Sequence, residues 1–214
     1  MFIRTEAQLH QAVDALIAQC KDMAYIYEIC GYPPLRLREG GFAGIMDIVI
    51  AQQLSVASAK AITIRVQNLA QNDMDATQFQ ALSDEKLNEA GLSRPKINTL
   101  RAVQEAVLNG VLDFDALYDL SEEEAMQKLT NIKGIGPWSA QIYLSFCMGY
   151  RDQFPAGDLA LQIATQTLLK LPERPDTKAL SEIALRWKPY RSMAAFLLWS
   201  YYRKEIKTAS GMPI

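Results

Sequence analysis

Apolar residues recur along this chain at three- and four-residue spacing, and the runs are cut by glycine, proline or a small capping residue. Thr5 and Gln8 make a capping-box pattern, after which Leu9, Val13, Leu16 and Ile17 carry a helix to about Cys20. MAYIYEIC predicts a short helical turn ending at Gly31, and Tyr32-Pro33-Pro34 then separates an N-terminal arm from the main body. Phe42, Ile45, Met46, Val49 and Ile50 mark a buried helix over 42–52. QQLS forms a polar corner, and Val56, Ala59, Ile62, Val66 and Leu69 stripe the next helix. Ser83 caps a short helix that ends at Gly91, while Ile97, Leu100, Val103 and Val107 stripe another that ends at Gly110. Ser121 with Glu124 repeats the capping-box pattern ahead of Met126 and Leu129. Beyond Asp158 an apolar helix runs to Leu169, LPERPDT breaks it, a further helix covers 177–187, and a nearly all-apolar buried helix covers 192–206. The tail TASGMPI reads as a frayed end. No stretch alternates with period two between turn signals, so the pattern predicts an all-α fold of about ten helices.

One junction in this series implies chemistry. Residues 129–158 read LTNIKGIGPWSAQIYLSFCMGYRDQFPAGD, with a helix ending near Thr130, a turn holding Gly134 and Gly136, and Pro137 opening a second helix. This is a helix-hairpin-helix. Both glycines can adopt positive φ and let a ligand's backbone come close, and Pro137 at the first helical position needs no N–H partner. The turn amides and the next helix's N-terminus then face outward as an anion site suited to a phosphodiester. Lys133 either meets a phosphate oxygen or is ordinary solubilising charge. GLSRPK loosely echoes GIGPWS, a trace of paired helical hairpins.

Asp158 stands at a helix start, where aspartate is a favoured cap. The alternative is catalytic: a lone carboxylate beside a sugar can stabilise the cation that develops at C1′ when an N-glycosidic bond breaks, and can orient water to trap it. Trp138 is either core or an aromatic face that stacks an extruded base. Trp187 and Tyr190, around Pro189, divide in the same way between core and pocket wall, and Trp199 reads most simply as core. In QQLS, Ser55 reads as a cap for the next helix, while Gln53 stays open as a side chain that probes the gap left by an extruded nucleotide. His10 is the only histidine and lies far from the hairpin, so no histidine-based triad is supported.

Composition narrows the setting. The 214 residues, half of them apolar, suffice for one large domain or two small lobes with a real core. A formal charge of −2 argues against a broad basic surface, so any contact with DNA has to be local. Cys20, Cys30 and Cys147 match no disulfide, zinc or iron–sulfur spacing and read as reduced core thiols. No run approaches the roughly 20 apolar residues of a membrane span. The expected location is cytoplasmic, or nuclear in a eukaryote.

Together these residues resemble the helix-hairpin-helix DNA glycosylases (HhH-GPD), and within them the compact 3-methyladenine DNA glycosylase II group. LTNIKGIGPWSAQIYL with FPAGD is similar to the family's hairpin and catalytic aspartate, AQQLSVASAK to its earlier corner, and GLSRPKINTL and RWKPYRSMAAFLLW to two further blocks. The resemblance covers about 42–202. It implies one glycosylase unit over 1–214, with lobe one at about 42–118 and lobe two at about 119–207 plus the arm 1–34. It also implies a cleft between the lobes, base flipping in double-stranded DNA, and excision of N-alkylated purines such as 3-methyladenine and 7-methylguanine. By the resemblance Asp158 is the catalytic carboxylate. DNA contact falls to Ile132, Lys133, Gly134, Ile135, Gly136 and Ser139, and the base pocket to Trp138, Gln53, Trp187 and Tyr190. No cofactor is required, although backbone carbonyls of Thr130, Ile132 and Ile135 are placed to hold a monovalent cation. Bifunctional members carry a Schiff-base lysine where this chain has Trp138, which implies hydrolysis without lyase activity. The iron–sulfur cysteines of the endonuclease III branch are absent, Tyr190 stands where some alkylpurine members carry tryptophan, and a monomer is expected. Two other readings remain: a noncatalytic DNA-binding module, and a glycosylase for oxidised or deaminated bases.

Overall fold

A computed structural model of the protein describes residues 2–70 and 74–207. Among these there are twelve α-helices and no strand. The tail TASGMPI lies outside the described residues. The chain divides into two compact units, one of Met1–Leu37 with Gly149–Ile214 and one of Arg38–Met148.

The first unit holds α1 (Glu6–Gln19), α2 (Lys21–Cys30), α10 (Leu159–Leu169), α11 (Thr177–Ala184) and α12 (Arg191–Tyr201). Its capping is as the sequence predicts: Thr5 Oγ1 accepts from Gln8 N–H while Gln8 Oε1 takes the Thr5 N–H. Gly31 ends α2 at a φ of 70°. α12 is the spine, packing against α1, α2 and α10. Ser192 through Leu198 are all buried along it, whereas Trp199 and Ser200 are only half-buried. Burying each such large apolar side chain contributes roughly 1.5–3 kcal/mol. The N-terminal arm closes on this unit through Ile3 N–H donating to Gly149 O at 2.7 Å, beside an isolated antiparallel bridge from Phe2 to Tyr150.

The second unit runs through α3 (Gly41–Ala51), α4 (Val56–Leu69), α5 (Ala76–Ala81), α6 (Asp84–Glu89), α7 (Arg94–Leu108), α8 (Glu122–Thr130) and α9 (Pro137–Tyr143). α3 is apolar nearly all round and packs on α4, α7 and α9, which explains its enclosure. Ser55 caps α4 by accepting from Ser58 N–H, and Ser121 with Glu124 forms the second capping box. α5 is the helix that periodicity does not reveal. It has six residues, an Asp75 cap, and Arg101 of α7 donating to the Phe79 carbonyl at 2.9 Å and to the Leu82 carbonyl. A long-range guanidinium, not a local repeat, holds it.

The hairpin α8–α9 therefore groups with residues 38–148, where the sequence reading put 119 onward in the other lobe. α9 packs on α3 and α8, and these contacts outweigh chain order. Of the three cysteines only Cys147 is fully a core thiol, and burial pushes it up to about 12. Cys20 and Cys30 are half-buried at the two ends of α2. No helix among the described residues is long and apolar enough to cross a membrane.

Candidate active site and nucleic-acid interface

Asp158 caps α10. Its Oδ1 accepts the N–H of Ala160 at 3.0 Å and of Leu161 at 3.2 Å. Trp199 Nε1 also donates to the same oxygen, at 3.1 Å. Three donors on Oδ1 fix the rotation of the carboxylate and hence the direction of Oδ2. Capping and catalysis are thus not rivals here, since the cap orients the group.

The segment leading into Asp158 is pinned from α12. Ser192 Oγ donates toward Tyr150 O at 2.7 Å and Gln153 O at 3.0 Å and accepts the Gln153 N–H at 3.0 Å. Arg191 grips Asp152 with both carboxylate oxygens engaged, Nε to Oδ1 at 2.9 Å and Nη2 to Oδ2 at 3.0 Å. Further on, Gln162 Nε2 holds Ala156 O at 3.0 Å and Asp158 N–H closes on Pro155 O at 2.8 Å. The arginine–serine pair of the KPYRS run is thereby explained: it anchors the loop that delivers the aspartate.

In the other unit the hairpin turn is built as follows. Ile132 N–H bonds back to Leu129 O at 3.2 Å and Ile135 N–H to Ile132 O at 3.0 Å. The side chains of Ile132 and Ile135 are buried, so only their backbone can meet a ligand. No hydrogen bond within the chain uses the N–H of Lys133, Gly134 or Gly136 among the described residues, and all three residues are exposed. Such amides at the mouth of α9 are donors for an anion.

Of the two glycines only Gly134 uses the freedom to take positive φ, at 93°, whereas Gly136 has φ −87° and ψ 174°, an extended N-cap conformation open to any residue. A Cβ on Gly134 would lie 2.0 Å from Thr99 Oγ1, so its backbone rests directly on α7. A Cβ on Gly136 would meet nothing within 4 Å. Its bareness leaves the outer face of the turn open.

Trp138 is half-buried on the first turn of α9. Ser139 is 2% exposed and its Oγ accepts from Gln52 Nε2 at 2.8 Å, so this hydroxyl is turned inward and is not a surface contact for DNA. Gln53 is exposed and left-handed at φ 56°, a conformation that costs a non-glycine residue about 1 kcal/mol or more. Leu54 beside it is also exposed. Trp187 is fully enclosed, its ring 5.3 Å from that of Phe154, and so is core, not pocket wall. Tyr190 is half-buried at the N-cap of α12, with the Arg151 guanidinium 5.4 Å from its ring centre. The side chains that sequence reasoning missed are Trp199, which binds Asp158, and Gln52, which binds Ser139. Each contact spans a long sequence separation, 41 and 87 residues, and no local spacing signals it.

An all-α fold, a helix-hairpin-helix and an oriented aspartate at a helix start define the class. Residues 46–189 match the HhH-GPD superfamily of base excision DNA repair proteins, and the chain belongs to that family. It is 32% identical over 162 residues, 74% of this chain and 76% of the relative, to the alkylbase DNA glycosidase-like protein mag2 of Schizosaccharomyces pombe. Among solved structures it is similar to the DNA-3-methyladenine glycosidase of Bacillus halodurans, with TM-score 0.80, 32% identity, and coverage of 94% of this chain and 92% of that one. It is likewise similar to the S. pombe 3-methyladenine DNA glycosylase Mag1 in complex with abasic DNA, with TM-score 0.84, 27% identity, and coverage of 91% and 98%.

Proposed function

We propose that this base excision repair glycosylase flips N-alkylated purines, of the 3-methyladenine and 7-methylguanine type, out of double-stranded DNA and hydrolyses their N-glycosidic bond, acting as a monomer without lyase chemistry. The observation that carries the reading is the triple anchoring of Asp158 Oδ1, in a family of base excision repair proteins. The names of the mag2 and B. halodurans relatives support the substrate class.

An N3- or N7-alkylated purine carries positive charge. When the C1′–N bond breaks, the bonding pair leaves with the base, which departs neutral and needs no acid to protonate it. The sugar is left as an oxocarbenium cation. Asp158, held as a carboxylate in fixed orientation, stabilises that cation, and water adds to C1′ with loss of a proton. The single carboxylate thus suffices. With Trp138 in the hairpin helix there is no amine at that position to form a Schiff base, which supports hydrolysis alone.

The Lys133, Gly134 and Gly136 amides take the phosphodiester, Gln53 enters the gap left by the extruded nucleotide, and Trp138 offers a half-buried aromatic face to a cationic base. The hairpin carbonyls of Thr130, Ile132 and Ile135 are neutral oxygens without a carboxylate among them. The Ile132 carbonyl takes a hydrogen bond from Ile135 N–H on one lone pair and keeps the second. That donor set suits a monovalent cation, which would add positive charge on the phosphate side.

Asp158→Asn tests the reading. Asparagine caps equally well and can still accept from Trp199, so the variant isolates the charge. Single-turnover release of base from methylated DNA is expected to fall on the order of 10²–10³-fold with DNA affinity kept. Release at the wild-type rate, or wild-type activity confined to oxidised or deaminated duplexes, overturns it.

A further inference from the structure

The corner after α3 and the first turn of α9 belong to the same unit and are bridged by a side-chain hydrogen bond, Gln52 Nε2 donating to Ser139 Oγ at 2.8 Å. Gln52 is the C-cap of α3, with φ −53° and ψ 125°, and Gln53 follows it in the left-handed region. Leu54 N–H closes the corner on Ala51 O at 3.2 Å. α7 supports both elements: Lys96 Nζ donates to Ile50 O at 2.7 Å, in the last turn of α3, and Thr99 lies against Gly134 of the hairpin. Ser139 is the third residue of α9 and is buried, so its hydroxyl has a defined partner and no water to replace it.

We propose that Gln52 is a positioning residue that locks the corner to the first turn of the hairpin helix, so that gripping the backbone and probing the base stack are one rigid act. This rests on the reading of the chain as a base-extruding glycosylase. A phosphodiester bound at the hairpin mouth fixes the first turn of α9. Through Ser139 and Gln52 it fixes Gln53 as well, which has no freedom to swing while its neighbour is bonded. Without that bond the grip persists and the probe is no longer presented.

The test uses Gln52→Met, which keeps side-chain length and removes the donor, with Ser139→Ala and the double variant. The probe is a duplex carrying an abasic analogue with 2-aminopurine opposite it, whose fluorescence reports entry into the stack. Single-turnover excision from methylated DNA is measured alongside. The expected result is binding of the duplex within about threefold of wild type, with fluorescence change and excision rate each reduced about tenfold or more. Ser139→Ala gives the same split, and the double variant is no worse than either single one, as a shared contact requires. The inference is overturned if Gln52→Met excises at the wild-type rate, if affinity and rate fall together in step with melting temperature, or if the two losses add. Failure of the glycosylase reading shows in the wild-type protein, which then releases no base, whereas the fluorescence comparison between variants and wild type still decides the role of Gln52.

Discussion

At Gly134 a methyl group would sit 2.0 Å from Thr99 Oγ1, whereas at Gly136 it would meet nothing within 4 Å. The same substitution is therefore expected to do two different things in one turn. Gly134→Ala combines a φ of 93° with that collision and should cost roughly 2–4 kcal/mol of stability. Gly136→Ala sits at an ordinary φ and should leave stability within about 1 kcal/mol, while weakening DNA binding about fivefold or more by obstructing the phosphodiester. Thermal melts beside binding isotherms distinguish them, and a Gly136→Ala protein with full affinity would remove Gly136 from the interface. Sequence alone makes these glycines look alike, because residue type does not reveal what a Cβ would strike. It also makes Trp199 look like core, because a hydrogen bond to a residue 41 positions away leaves no trace in periodicity.

Helices with a local cause are legible in the sequence. The two capping boxes, at Thr5 and Ser121, and the Ser55 and Ser83 caps stand where the pattern puts them. α5 is not legible, because Arg101 secures it from α7. α3 is read correctly as buried, yet it carries Asp47, half-enclosed and accepting from Thr63 Oγ1 at 3.2 Å. Burial raises this carboxyl above its ordinary 3.8, with the Thr63 hydrogen bond and Arg38 opposing. A folded value above the unfolded one means the native state binds its proton more tightly, so stability falls as pH rises through that interval and the penalty is complete above it. Asp47→Asn should accordingly raise the melting temperature at neutral pH, and the gain should vanish as pH drops below about 3.8, where both states of the wild-type carboxyl are protonated. Melts across that range check it. An unchanged difference at every pH would exclude desolvation of the charge as the cause.

For the molecule as a whole, a formal charge of −2 makes the proposed DNA grip depend on the exposed hairpin amides, not on a broad basic surface. Only a phosphate neutralised by a Lys or Arg contributes, about −0.9, to the slope of log K against log salt, so a grip through neutral amides with Lys133 beside them should give a slope of roughly −1. A slope as steep as about −6 in a fluorescence-anisotropy titration would instead require a basic surface that the composition does not supply. The family match over residues 46–189 crosses both units, which is why motif and aspartate could be read together from sequence although contacts divide them. The division itself was not legible, since helix packing, not spacing, sets it. It has a consequence for the order of synthesis. The unit 38–148 is one continuous stretch, whereas the unit that holds Asp158 is made from both ends of the chain. On the ribosome the hairpin's unit is therefore complete while α1 and α2 still await α12, their packing partner. The nascent protein thus completes the unit with the proposed DNA grip before the unit that carries Asp158.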